Sequence, residues 1–117
     1  MRKVLIIEDD IDILNVMTTI LKDSYHVLPI SSPRHWKNDV EEFQPDIAII
    51  DVHLGDEDGI NICRELKSNS KTSHIKLVVT SALVIQPERL KEYCDAYLEK
   101  PFEIDNFTEI IEDVQLK

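Results

Sequence analysis

Short apolar runs alternate along the chain with longer stretches whose apolar residues recur every three or four positions. Val4-Leu5-Ile6-Ile7, Ile47-Ala48-Ile49-Ile50, Leu77-Val78-Val79 and Ala96-Tyr97-Leu98 have the length and composition of buried strands. Between and after them, Ile11, Leu14, Met17, Ile20 and Leu21 fall at helical spacing, as do Ile104, Phe107, Ile110, Ile111 and Val114. The pattern predicts strands over 3–8, 26–30, 46–51, 75–80 and 96–99. It predicts helices over 11–22, 34–43, 59–68 and 104–115, with a further helix somewhere in 86–93. Strict alternation of this kind builds βαβ units, hence an α/β fold with a parallel sheet covered on both faces. The unbroken Val, Ile and Leu of the first and third runs suit strands buried on both sides. Both helical stripes are expected to face the core.

Pro29 lies inside the second strand, and proline cannot donate to a ladder, so this strand belongs at an edge. The flavodoxin-like, doubly wound order 2-1-3-4-5 puts it there and reverses direction between strands 1 and 3. Ligands of such sheets bind outside the carboxyl ends of the strands at that reversal. The residues arriving at those ends are polar: Glu8-Asp9-Asp10, Asp51, Thr80-Ser81-Ala82 and Glu99-Lys100-Pro101.

At 117 residues the chain reads as one domain, 1–117, large enough to bury a core without metal or disulfide. Its 43% hydrophobic content argues against disorder. A net charge of -10, from 23 acidic and 13 basic residues, argues against direct nucleic-acid binding, which rests on Lys and Arg. Cys63 and Cys94 lack C-x-x-C spacing and read as small core residues. No apolar run approaches membrane-spanning length, and no signal segment is apparent, so a cytoplasmic location without membrane attachment is expected.

Three carboxylates on adjacent strand ends repel one another, and a dication relieves that repulsion. Oxygen-only ligands favour Mg²⁺ or Mn²⁺ over zinc. Lys100 would add a fixed positive charge, and Asp51 could then act as a nucleophile toward phosphorus. Taken singly, each residue has an ordinary structural reading. Asp10 is assigned to the N-cap of the first helix, which leaves Glu8 and Asp9 for an ion. Asp56, Asp58 and Gly59 serve turns and the start of the third helix, Ser81 could cap the fourth, and Lys100 could be a solvated charge. The convergence of four separate strand ends favours a site.

Over nearly its whole length the chain resembles the receiver domain of two-component response regulators, the CheY-like domains. The residues that carry the resemblance are K-V-L-I-I-E-D-D, P-D-I-A-I-I-D-V-H-L-G-D-E-D-G, V-V-T-S-A and D-A-Y-L-E-K-P-F. It implies that Asp51 is the phosphoryl acceptor, supplied by a sensor histidine kinase or a histidine phosphotransfer protein. It implies that Glu8, Asp9 and Asp51, with the backbone carbonyl of His53, hold Mg²⁺ or Mn²⁺. Ser81 and Lys100 would bind the phosphoryl group, Ser81 and Tyr97 would form the switch, and Lys100-Pro101 would be cis. The domain would be regulatory rather than an enzyme, its only chemistry its own phosphorylation and dephosphorylation. Its output would be a downstream protein target or a fused output domain, and a stand-alone regulator and an excised receiver fit equally.

The chain departs from that family at several positions. Gly55 stands where proline is usual, Tyr93-Cys94 replaces the common Gly-Ala, and Ser24 replaces a glycine. The interval from Ser81 to Lys100 is short, and Pro87 fits only the first turn of a helix. A shortened fourth helix beginning near Pro87 is therefore expected, after an apolar loop Leu83-Val84-Ile85 that either enters the core or forms a docking patch. The shortfall argues for a monomer or a weak dimer. The His53 side chain either modulates phosphoryl hydrolysis or is simply solvated. Two rivals remain: a pseudo-receiver interaction module not controlled by phosphorylation, and an aspartyl-nucleophile phosphohydrolase. The complete set Glu8, Asp9, Asp51, Ser81 and Lys100 argues against the first, and the absence of a D-x-D at the first strand against the second.

Overall fold

Each apolar run forms a strand and each amphipathic stretch a helix in the computed structural model, which describes residues 1–83 and 87–117. In chain order these are β1 (Lys3–Ile7), α1 (Ile11–Leu21), β2 (His26–Ile30), α2 (Trp36–Phe43), β3 (Ile47–Asp51) and α3 (Gly59–Ser68). They are followed by β4 (Lys76–Ser81), α4 (Pro87–Lys91), β5 (Ala96–Glu99) and α5 (Ile104–Val114). The strands form one parallel sheet in the order β2-β1-β3-β4-β5. Pro29 is on the edge strand, as its missing N–H requires.

Period-2 alternation sends successive side chains to opposite faces. Leu5, Ile7, Ala48, Ile50, Leu77 and Val79 pack with Val40, Ile62, Leu66 and Leu90, so α2, α3 and α4 cover one face. Val4, Ile6, Ile47, Ile49, Val78 and Leu98 pack with Leu14, Met17, Phe107 and Ile111, so α1 and α5 cover the other. Cys63 is buried and Cys94 half-buried, both as free thiols. Burial pushes them up to about 12 and about 11, which keeps them protonated and inert.

Two members of the predicted stripes are not core. Ile11 is 54% exposed and Ile104 60%. Each opens the first turn of a helix that starts beyond the strand ends, where no sheet face remains to cover it. A 3₁₀ turn at Pro33–His35, capped by Ser32, precedes α2, and the chain leaves that helix through Gln44 in the left-handed region (φ 51). The loop after β3 folds as a small antiparallel ladder, His53–Leu54 with Glu57–Asp58, which the sequence pattern does not announce. Gly55 makes its turn at φ 66, a conformation that suits glycine.

The fourth helix is short and begins at Pro87, as expected. Of the predicted apolar loop, Leu83 is 59% exposed. Val84 and Ile85 lie outside the described residues. Among the described residues, no helix is long and apolar enough to cross a membrane.

Candidate phosphoryl and cation site

Parallel strands of similar length end at one rim, so the polar residues that terminate the apolar runs meet there. Glu8 and Asp51 are 1% and 5% exposed, and Ser81 is fully buried. Asp10 is drawn away by its capping duty: its Oδ1 accepts from the N–H groups of Asp12 at 3.0 Å and Ile13 at 3.2 Å. That leaves Glu8, Asp9 and Asp51, each of which places a carboxylate oxygen within 4.8 Å of the other two. At that spacing each ionised pair repels by about 3.5 kcal/mol at an effective dielectric of 20.

Lys100 offsets part of this. Its backbone N–H donates to the Ser81 carbonyl at 2.9 Å, which fixes the start of its reach. Its ammonium donates to Glu8 Oε1 and lies 3.3 Å from Asp51 Oδ2. The Lys100-Pro101 bond is cis, as the resemblance implies. Burial pushes the Glu8 carboxyl up to about 7, against the pull of the Lys100 ammonium. Burial alone would lower the Lys100 pKa, but the hydrogen bond to Glu8 and the charge of Asp51 raise it. One ammonium thus leaves the cluster short of positive charge. Three oxygen donors, two buried and the third exposed, fit a partly hydrated hard dication.

The β3–α3 loop is held against the acceptor. The His53 N–H points at Asp51 Oδ1 over a long 3.4 Å, and the Gly59 N–H donates to the Val52 carbonyl at 2.8 Å. A Cβ on Gly59 would stand 2.0 Å from the Asp51 carbonyl oxygen, so only glycine lets α3 start so close to the acceptor strand. Asp58 caps that helix through the Ile60 N–H at 2.9 Å. The His53 side chain is exposed and lines a cleft of about 500 Å³ with Val52, Ile60, Leu83, Leu90 and Tyr93.

Ser81 and Tyr97 meet through Leu83. Ser81 Oγ accepts from the Leu83 N–H at 3.0 Å, and the Tyr97 hydroxyl donates to the Leu83 carbonyl at 3.0 Å. Ser81 ends β4 and does not cap α4, which starts six residues later. Its hydroxyl has no hydrogen bond to Asp51 among the described residues. Sequence reasoning missed three participants here: Leu83 as the link, Gly59 as the close approach, and Thr80. Thr80 is buried and pairs in register with Asp51.

Comparison with known proteins agrees with this geometry. The family described as the response regulator receiver domain matches residues 4–112. The chain is 30% identical over 105 residues to the transcriptional regulatory protein GltR of Pseudomonas aeruginosa, covering 86% of this chain and 43% of that protein. It is 29% identical over 107 residues to histidine kinase P4 of Formosa agariphila, covering 89% of this chain and 8% of that one. The chain therefore spans less than half the length of these curated relatives. Among solved structures, the chemotaxis protein CheY4 of Vibrio cholerae superposes with a TM-score of 0.87 at 22% identity, covering 97% of this chain and 98% of that one.

Proposed function

Because the chain belongs to the response regulator receiver domains, we propose that Asp51 accepts a phosphoryl group from a phosphohistidine and that the modification switches partner binding. Receiver domains are regulatory rather than enzymes in the ordinary sense. The donor is a sensor histidine kinase or a histidine phosphotransfer protein, and the output is a downstream target or a fused domain. The observation that carries the reading is the convergence of Glu8, Asp9 and Asp51 within 4.8 Å, bridged by Lys100.

In the transfer, an oxygen of Asp51 forms a bond to phosphorus as the N–P bond of the donor breaks. The donor imidazole leaves with the electron pair and is neutral once protonated. A Mg²⁺ or Mn²⁺ ion held by Glu8, Asp9 and Asp51, with the His53 carbonyl, would supply charge neutralisation at the transferring group. Lys100 supplies the second positive charge by exchanging Glu8 for the phosphoryl oxygens.

Phosphorylation adds between one and two negative charges and new acceptor oxygens. The Ser81 hydroxyl turns to donate to one of them and lets go of the Leu83 N–H. Leu83 is also what holds the Tyr97 hydroxyl, so releasing one loosens the other. The site and the α4–β5–α5 surface are thereby coupled through Leu83.

The pseudo-receiver reading makes the opposite prediction about chemistry. Incubation with acetyl phosphate and Mg²⁺ should add one phosphoryl mass to the parent and none to Asp51→Asn. An unmodified parent would favour the pseudo-receiver.

A further inference from the structure

The Thr80 hydroxyl is buried, at 1% exposure, and has no hydrogen-bond partner among the described residues. Leaving a buried donor unpaired is unfavourable, so a hydroxyl here needs a reason that a valine of the same shape would not. The register supplies one. Thr80 lies opposite Asp51 on β3 and opposite Leu98 on β5. Residues paired in register point to the same face of a parallel sheet. Ile49 and Val78, two positions earlier on the two strands, and Leu98 itself all pack on the α1/α5 side. Asp51 and Thr80 therefore share that face, whereas Ser81 leaves β4 toward the other.

Lys100 belongs to the same arrangement. It follows β5, yet its ammonium reaches Asp51 on β3 and Glu8 beyond β1. To do so it crosses the column of β4, whose residue in the Asp51 row is Thr80. A neutral donor thus stands in the row beside a carboxylate that, among the described residues, is met by the Lys100 ammonium and, over a long approach, by the His53 N–H.

We infer that Thr80 is a second hydroxyl of the acyl phosphate site, a positioning residue that donates to the Asp51 oxygen Lys100 releases. When the ammonium moves to the phosphoryl group, that oxygen loses its strongest partner. The Thr80 hydroxyl, without a partner among the described residues, then donates to it, and the proton stays on threonine throughout. A neutral donor suits the carbonyl of an acyl phosphate, which carries only partial charge. The inference rests on Asp51 being the acceptor.

Thr80→Val keeps the shape and removes the hydroxyl, Thr80→Ser keeps the hydroxyl, and Thr80→Ala is a second variant without it. The measurements are thermal midpoint without ligand and affinity for beryllofluoride in Mg²⁺, an acyl phosphate mimic. Thr80→Val should melt no lower than the parent yet bind beryllofluoride about tenfold more weakly, and Thr80→Ala should show the same loss of affinity. Thr80→Ser should bind within twofold of the parent. Parent-like affinity in both hydroxyl-free variants would overturn the inference while leaving Asp51 as acceptor. A parent that takes up no beryllofluoride would remove the acceptor reading and the inference together.

Discussion

Lys100 holds, in the unmodified protein, the carboxylates that a dication would otherwise hold together. It is bonded to Glu8 and close to Asp51, so the ammonium and a bound dication would compete for the same oxygens. The two roles of Lys100 can be separated by experiment. Lys100→Ala should bind Mg²⁺ several-fold more tightly than the parent by titration calorimetry, because a competing charge is gone. The same variant should react with acetyl phosphate on the order of 10²-fold more slowly, because a donor to the transferring group is gone. Weaker Mg²⁺ binding in Lys100→Ala would contradict the competition. Of the residues at this rim, Glu8, Asp9, Asp51 and Lys100 were legible because each breaks an apolar run with a charge. Thr80 was not, because a threonine at the end of a strand is what β-propensity alone would place there. Only the register opposite Asp51 gives it a candidate role there.

Elements were legible where a local rule acts alone. Pro29 marked the edge strand, Asp10 and Asp58 capped their helices, and Pro87 opened α4. They were less legible where tertiary context decides. Ile11 and Ile104 continue a helical stripe that has run past the sheet, and the ladder at His53–Asp58 depends on a turn rather than on a hydrophobic pattern. The tie between α3 and the strands beside it was likewise invisible, since it is made by one carboxylate. Asp95 Oδ2 accepts from the Leu77 N–H at 2.8 Å and from the Lys67 ammonium at 2.9 Å. Burial alone would raise the Asp95 carboxyl, but the Leu77 hydrogen bond and the Lys67 charge outweigh it and lower the pKa below 3.8. A carboxyl lowered on folding stabilises the fold above its unfolded pKa, and that stability is lost as pH falls through the folded value. Asp95→Asn should therefore cost about 1–3 kcal/mol in urea unfolding at pH 7. The gap from the parent should narrow as the pH is taken below 3.8. A gap that widens in acid would contradict this account of Asp95.

At the scale of the molecule, the sheet order collects Glu8, Asp9, Asp51, Ser81 and Lys100 at one rim, and the helices decide what surrounds it. The fold class followed from the alternation of elements, and the site's location from the reversal between β1 and β3. What lies downstream was not legible, because the proposed switch would act through surfaces whose shape depends on α4. That helix has five residues, a rise of about 7.5 Å, which is little to build on. A stable symmetric interface buries roughly 800 Å² per partner. Phosphorylation should consequently leave the chain monomeric in sedimentation at micromolar concentration, and a tight dimer after acetyl phosphate treatment would contradict that. The functional expectations depend on Asp51. Its chemistry can be read directly by treating the protein with acetyl phosphate and Mg²⁺, reducing with borohydride and sequencing the peptides by mass. The account predicts homoserine at position 51, the product of reducing an aspartyl phosphate, and its absence when Mg²⁺ is withheld. Homoserine at another carboxylate, or none after treatment with Mg²⁺, would contradict it.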